Sequence, residues 1–160
     1  MRFIRTARSL LFTVMLRRTA ISCGPGCRAN GLVIGRNLVI GADCHFNGMH
    51  VFGNGKVTIG DNFHSGRGLK ILTATHDYHG SALPYDDSVI TREVVIGSYV
   101  WVGMDVKILA GVTIGDGAII QAGSTVVSDV PALAITGGHP ARVFGFRDRE
   151  HYYRLAGKPQ

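Results

Sequence analysis

Along residues 90–126 an apolar side chain returns at every sixth position, as Ile90, Ile96, Val102, Ile108, Ile114, Ile120 and Val126. The same step runs upstream through Ile34, Ile40, Phe46 and Phe52, slips by one inserted residue near Gly53-Asn54-Gly55, and resumes at Ile59 and Ile71, with Ser65 breaking it. Positions two residues earlier are apolar or small as well: Val94, Val100, Val106, Val112, Ala118 and Ser124. A six-residue period fits neither an α-helix of 3.6 residues per turn nor a hairpin, but it fits a short strand and a corner, repeated. The strand period of two points both apolar positions inward. Three such sides close one coil, and coils stack about 4.8 Å apart through parallel ladders. Gly35, Gly41, Gly53, Gly60, Gly97, Gly103 and Gly115 follow periodic positions, often beside Asp or Asn, as corner residues should. The pattern predicts an all-β parallel β-helix of hexapeptide repeats over residues 23–130.

The repeat stops between Thr73 and Arg92, where the chain is polar, contains a proline and is rich in titratable groups. Residues 73–92 should protrude as a loop, the usual place for functional groups on a rigid scaffold. At the N-terminus Ile4, Ala7, Leu11, Val14 and Met15 fall on one helical face, predicting an amphipathic helix within residues 1–22. It either packs on the domain or a neighbouring subunit, or makes peripheral contact with an anionic membrane surface through residues 1–20. Its apolar run, Leu10 to Leu16, is too short to span a bilayer, and Arg17 and Arg18 follow it directly, unlike the end of a signal peptide. Residues 131–160 should form a C-terminal cap with a short helical tail.

With 160 residues, 46% hydrophobic and 18% charged, the chain is long enough for one domain with its own core. The net charge of +6 is concentrated in Arg2, Arg5, Arg8, Arg17 and Arg18, leaving the rest nearly neutral. That distribution argues against nucleic acid as a partner, since phosphate-backbone binding wants a spread basic surface. Cys23, Cys27 and Cys44 form an odd set without a second ligand pair, so reduced thiols in a cytoplasmic protein are expected, with Cys44 facing the core and no metal.

The hexapeptide run 90–130, the loop carrying Thr75-His76-Asp77, the stretch Val100-Trp101-Val102-Gly103, and the tail from Ser128-Asp129-Val130-Pro131 through Gly137-Gly138-His139-Pro140-Ala141-Arg142 belong together. They resemble the left-handed β-helix acetyltransferases of the hexapeptide-repeat kind. Within that superfamily the likeness is greatest to the maltose, galactoside and polysaccharide O-acetyltransferases and the xenobiotic acetyltransferases, over roughly residues 31–147. The resemblance implies a homotrimer, active sites between neighbouring prisms, and acetyl-CoA as co-substrate along the groove.

It also implies roles. His76 stands where the family carries its catalytic histidine, and imidazole suits a general base near neutrality. Asp77 follows it in place of the proline common in the sugar-acetylating members. His79, Tyr85 and Asp86 are candidates for the acceptor side; Asp86, Asp87 or Glu93 would orient His76 or bind sugar hydroxyls, and the sequence does not choose among them. Trp101, the only tryptophan, corresponds to an aromatic wall of the acyl or acceptor site, or to a trimer contact. Backbone amides at Gly103 or Met104 would hold the oxyanion, Ala122, Gly123 and Val127 would line the pantetheine groove, and Arg142 or Arg147 would meet the phosphates.

The expected reaction is acetylation of a sugar hydroxyl, on a glycan of a surface-polysaccharide pathway or its precursor; N-acetylation of an amino sugar is the alternative, and antibiotic acceptors come third. The same β-helix also serves γ-class carbonic anhydrases, and His45 and His50 have an H-x4-H spacing, but no histidine precedes His45 to complete a ligand set. A non-enzymatic β-helix platform would explain the repeats, though not the histidine loop or the tail motif.

Overall fold

The computed structural model describes residues 2–157, with side chains from residue 6 onward. After helix α1 (Arg2–Thr19) the chain winds as a parallel β-helix. Its first coil holds β1 (Ser22–Cys23) and β2 (Arg28–Ile34), its second β3 (Leu38–Ile40) and β4 (His45–Phe52), its third β5 (Val57–Ile59), β6 (His64–Ser65) and β7 (Leu69–Leu72). A protruding hairpin follows, β8 (Ala74–His76) against β9 (Val89–Thr91). The fourth coil is β10 (Val94–Ile96), β11 (Trp101–Val102) and β12 (Lys107–Ile108), the fifth β13 (Thr113–Ile114), β14 (Ile119–Ile120) and β15 (Thr125–Val126). Finally β16 (Ala134–Gly138) turns back on β17 (Ala141–Phe146), and α2 (Arg149–Ala156) closes the chain.

These strands stack into three faces. Face one is β1-β3-β5-β10-β13, with Val130 bridged onto Ile114. Face two runs from the starts of β2 and β4 through β6, β11 and β14 to β16, and face three from the ends of β2 and β4 through β7 and β12 to β15. The register shows why the period is six. Ile40, Phe46, Ile59, Ser65, Ile71, Ile96, Val102, Ile108, Ile114, Ile120 and Val126 all point inward and are buried, as are Val94, Val100, Val106, Val112, Ala118 and Ser124 two residues before. Each strand thus delivers two side chains to one shared core, with burial worth roughly 1.5–3 kcal/mol for each large aliphatic group.

Four periodic positions need separate comment. Ser65 keeps its register at full burial, so what it interrupts is hydrophobicity and not winding; its Oγ has no hydrogen-bond partner. Ile34 and Phe52 are exposed, and Val33, Met49 and Val51 fill the core instead. At Phe52 the cause is a residue missing from β4 at the edge between faces two and three, where Phe46 and Asn47 stand opposite Ala29 and Gly31 and Gly48 takes φ of 114°; at Ile34 the short step lies in the next corner, between the inward Val33 and the inward Leu38. The slip therefore begins near residue 47 and is made up around residues 53–55. Ile90 lies outside the prism altogether, on β9 opposite Thr75.

The corners impose their own chemistry. Between faces one and two a single column of left-handed residues runs down the prism: Gly26, Asp43, Asn62, Tyr99, Gly117 and Leu133. Glycine, Asn and Asp adopt this conformation at least cost, which accounts for their frequency beside the periodic positions. Tyr99 and Leu133 take it with bulky side chains.

Both ends are covered. On the first coil α1 lays Leu16, fully buried, with Phe12 and Ala20 packed on the core, while Thr13 Oγ1 accepts from the Ala29 amide and Ser9 Oγ donates to Asn30 Oδ1. The docked face is therefore the one bearing Ser9, Phe12, Thr13 and Leu16. Leu11, Val14 and Met15, read from the sequence as the apolar face, are exposed, and the Ile4 side chain lies outside the described residues. No described helix is long and apolar enough to cross a membrane. At the other end the cap starts later than residue 131, because Ile135 and Thr136 still ladder onto Ile119 and Ile120. Asp148 caps α2 by accepting from the His151 amide, and Tyr152 is buried.

Gly117 joins this cap to the prism. At φ 70°, a Cβ there would lie 2.6 Å from Tyr152 Cε2 and 2.7 Å from Leu133 Cδ2, whereas one at Gly123 (φ 73°) would meet nothing within 4 Å. Gly123→Ala should cost only the left-handed strain, about 1 kcal/mol, and Gly117→Ala about 1–2 kcal/mol more as Tyr152 is displaced. Thermal unfolding of the two variants checks this; equal melting temperatures would show that α2 contributes nothing to stability.

Candidate active site

The hairpin leaves the prism at the edge between faces three and one, where the Arg92 amide donates to the Thr73 carbonyl. Its tip is braced from within by Asp86. One carboxylate oxygen accepts from the Ser81 amide (2.6 Å) and hydroxyl (3.0 Å), the other from the Ser88 amide (2.9 Å) and from Ser88 Oγ. These donors, the Ser88 hydroxyl foremost, hold the Asp86 carboxyl well below the usual carboxylate range. Asp77 works similarly, its Oδ1 accepting from the His79 amide at 2.9 Å. So Asp77 and Asp86, expected on the acceptor side, are engaged in shaping the loop.

His76 ends β8 and is exposed, its ring stacked on Tyr85 with centroids 3.8 Å apart and planes 16° from parallel. Neither ring nitrogen is hydrogen-bonded by a described residue, so none of Asp86, Asp87 and Glu93 orients the imidazole within one chain; the Tyr85 ring does. His79 packs against Tyr78 at 4.3 Å, away from this stack.

The edge between faces two and three carries most of the other expected residues. Gly66, Gly103 and Ala122 stack directly: a Cβ on Gly66 would sit 2.6 Å from the Met104 amide nitrogen, and one on Gly103 2.4 Å from that of Ala122. The small residues keep this edge flat. The two oxyanion candidates are not equivalent. Gly103 N–H already donates to the Ile120 carbonyl at 2.8 Å, while Met104 N–H has no protein partner among the described residues. Gly123 donates its amide to the Met104 carbonyl and leaves open space beyond its α-carbon. Val127 is exposed just past the end of β15. Arg142, exposed on β17, donates only to the Ala141 carbonyl, and its hairpin is held to β15 by a 2.6 Å contact between Thr125 Oγ1 and His139 Nδ1.

Trp101 projects outward from face two between His64 and Ile119 and is 52% exposed. It lines a cavity of about 480 Å³ with Asn62, Tyr99, Tyr152, Leu155 and Arg147. Arg147 lies apart from Arg142: its Nε donates to the Gly117 carbonyl at 2.6 Å, at the edge between faces one and two. Of the histidines read as a possible metal pair, His45 lies over His64 at 5.7 Å while His50 stacks on Phe52 at 3.8 Å, on another face. The described residues contain no cluster of three metal-ligating side chains. All three cysteines are free thiols, and burial pushes Cys44 up to about 12.

A parallel β-helix wound from six-residue steps, with one inserted hairpin, is the architecture of the hexapeptide-repeat proteins. Residues 93–128 match the family model for the bacterial transferase hexapeptide, six repeats. Over 124 residues, 75% of this chain, the sequence is 33% identical to a galactoside O-acetyltransferase of Escherichia coli K12. A hexapeptide-repeat acetyltransferase of Vibrio cholerae superposes with a TM-score of 0.77 at 26% identity, covering 88% of this chain and 82% of that one. Its complex with acetyl-CoA gives 0.75 over 85% of this chain and 76% of that one, and a galactoside acetyltransferase in complex with CoA gives 0.71 over 88% and 72%, each at 26% identity. The chain is similar to hexapeptide-repeat acetyltransferases in sequence and in fold. It spans between 41% and 61% of the length of the curated relatives it matches.

The Asp86 brace is testable by pH. A carboxylate whose pKa is depressed by folding stabilises the fold above its unfolded value, near 4, and that contribution disappears only as pH falls through the lower folded value. Amide exchange at Ser81 and Ser88 should therefore remain slow at pH 4 in the native chain. In Asp86→Ala it should be fast from pH 4 to 7 with the prism amides unchanged; retained protection would show that the hairpin alone orders the tip.

Proposed function

We propose that this protein transfers an acetyl group from acetyl-CoA to a hydroxyl of a sugar, on a glycan or its precursor, with His76 as general base. The observation that supports this best is His76 itself: an exposed imidazole, fixed by stacking on Tyr85 rather than by hydrogen bonds, with both nitrogens open to a substrate. An acetyl-CoA complex of a relative that is similar over 85% of the chain supports the co-substrate.

Imidazole takes the proton of the acceptor hydroxyl as its oxygen attacks the thioester carbonyl carbon. Negative charge collects on the carbonyl oxygen, and the Met104 N–H, which the ladder leaves unspent where it takes that of Gly103, donates to it. Collapse breaks the C–S bond, and the imidazolium returns its proton to the departing thiolate. Pantetheine follows the flat edge past Ala122, Gly123 and Val127 to Arg142.

His76 and Met104 stand on different edges of one prism. A closed ring of three prisms sets the hairpin edge of one protomer against the Met104 edge of the next, so the proposed assembly is a homotrimer. Light scattering should report three chains; a monomer that is fully active at micromolar concentration would sink the shared-site arrangement.

His76→Ala should reduce acetyl transfer roughly 10²- to 10⁴-fold while acetyl-CoA binding, measured by calorimetry, persists. The assay is CoA release over a panel of neutral sugars, phosphorylated sugars, amino sugars and chloramphenicol, with product masses. Unchanged turnover in the variant would make His76 a bystander, and acetylation confined to amine acceptors would replace the hydroxyl by an amine.

A further inference from the structure

At the head of the Met104 edge the first three coils and α1 enclose a second cavity, of about 470 Å³, lined by Arg8, Asn30, Asn47 and Arg67. Its floor is a hydrogen-bonded chain: Ser9 Oγ donates to Asn30 Oδ1 (2.9 Å), Asn30 Nδ2 to Asn47 Oδ1 (3.3 Å), and Asn47 Nδ2 to the Ser65 carbonyl (2.7 Å). The two asparagines are thereby fixed, and each amide nitrogen keeps a second N–H to offer. Two guanidinium groups form the walls, Arg8 from α1 and Arg67 from the corner after β6. Neither is paired with a carboxylate among the described residues, and no acidic side chain lines the cavity. Arg8 lies 5.6 Å over the Phe12 ring, which restrains its stem and leaves its N–H groups unspent.

We infer that this cavity binds the phosphate group of a phosphorylated sugar acceptor. The inference rests on the acetyl-transfer reading above and adds the acceptor's class to it. Two unneutralised guanidinium groups converging on one cavity match a phosphate of charge near −2, and their planar forks donate to its oxygens in pairs. A neutral sugar would leave both cations facing each other across the cavity with only water between them. Position supports the same ligand. The Asp105 amide donates to the Arg67 carbonyl at 2.8 Å, and Gly66 lies against the Met104 amide, so Arg67 sits one coil above the proposed oxyanion donor. Asn47 and Asn30 lie one and two coils further on, at about 4.8 Å per coil. That separation is filled by a single pyranose ring, with its phosphate among the arginines and its hydroxyl at the thioester. Arg67 and Arg8 are binding and positioning residues; they take no part in proton transfer.

Calorimetry with the intact protein and no acetyl-CoA, using galactose 1-phosphate, methyl galactoside and galacturonic acid, tests this. The phosphate ester should bind at least about tenfold tighter than the neutral glycoside. Arg67→Gln and Arg8→Gln, both exposed positions whose melting temperatures should match the native chain, should each remove most of that preference, and Arg67→Lys should keep part of it. Equal affinity for the ester and the glycoside, or a preference surviving in both glutamine variants, overturns the assignment. So does tighter binding of the uronate than of the phosphate, which would put a carboxylate in the cavity. Because no acyl donor is present, the outcome is independent of whether acetyl transfer is the reaction: a chain that binds the ester through both arginines and never releases CoA would refute the transferase reading and leave the anion site standing.

Discussion

The stacking of one coil on the next governs everything else in this molecule. Each strand hydrogen-bonds along its length to the coils above and below, so the backbone fixes the spacing and every residue has a vertical neighbour of the same structural kind. Inward positions form columns of mainly Val, Ile and Leu because such side chains fill the prism without leaving polar atoms unpaired. Corner positions form columns of Gly, Asn and Asp because the chain must turn left-handed there, and because a Cβ at Gly66 or Gly103 would strike the backbone of the coil beneath. Tyr99 and Leu133 are the exceptions in such a column, and both lie against the cap that α2 places on the last coils.

That constraint also decides where chemistry can be carried. A stacked coil has no room for a long side chain in its interior and little mobility at its corners, so a reactive group must come from an insertion. The hairpin at residues 73–92 is that insertion, and it supplies its own rigidity: Asp86 gathers four donors, Asp77 a fifth, and Tyr85 takes the His76 ring on its face. A loop built this way holds an imidazole in place without satisfying its nitrogens. The prism contributes the complementary part, an edge of small residues along which the amide of Met104, like those of Arg67 and Ala122 in the neighbouring coils, is left unspent.

Because the hairpin leaves at one edge and the Met104 column occupies another, the two halves face apart in a single chain. The same separation gives the Met104 edge its length, running from the arginine-lined cavity at the first coils down to Arg142 on the terminal hairpin.

Much of this was written into the amino-acid order. A period of six with glycine or Asn and Asp at the corners can be satisfied by few backbones, so the coils, the core columns, the protruding loop and its histidine were legible before any coordinates. Ile34 and Phe52 were not, since whether a corner has its full complement of residues depends on how β4 passes one edge and how β2 leads into β3 at the next, and one missing residue flips a strand's faces. The roles of single polar groups were equally hidden. The order of residues cannot say that Gly103 spends its amide on Ile120 while Met104 does not, that Asp86 turns inward to its own loop, or that Arg147 lies under α2 rather than beside Arg142. Nor could it bring Arg8, from an N-terminal helix, to within one cavity of Arg67. Hydrophobic periodicity is a property summed along the chain, and it survives local exceptions; a hydrogen bond or a shared cavity belongs to a particular pair of groups, and only the tertiary packing decides which pair meets.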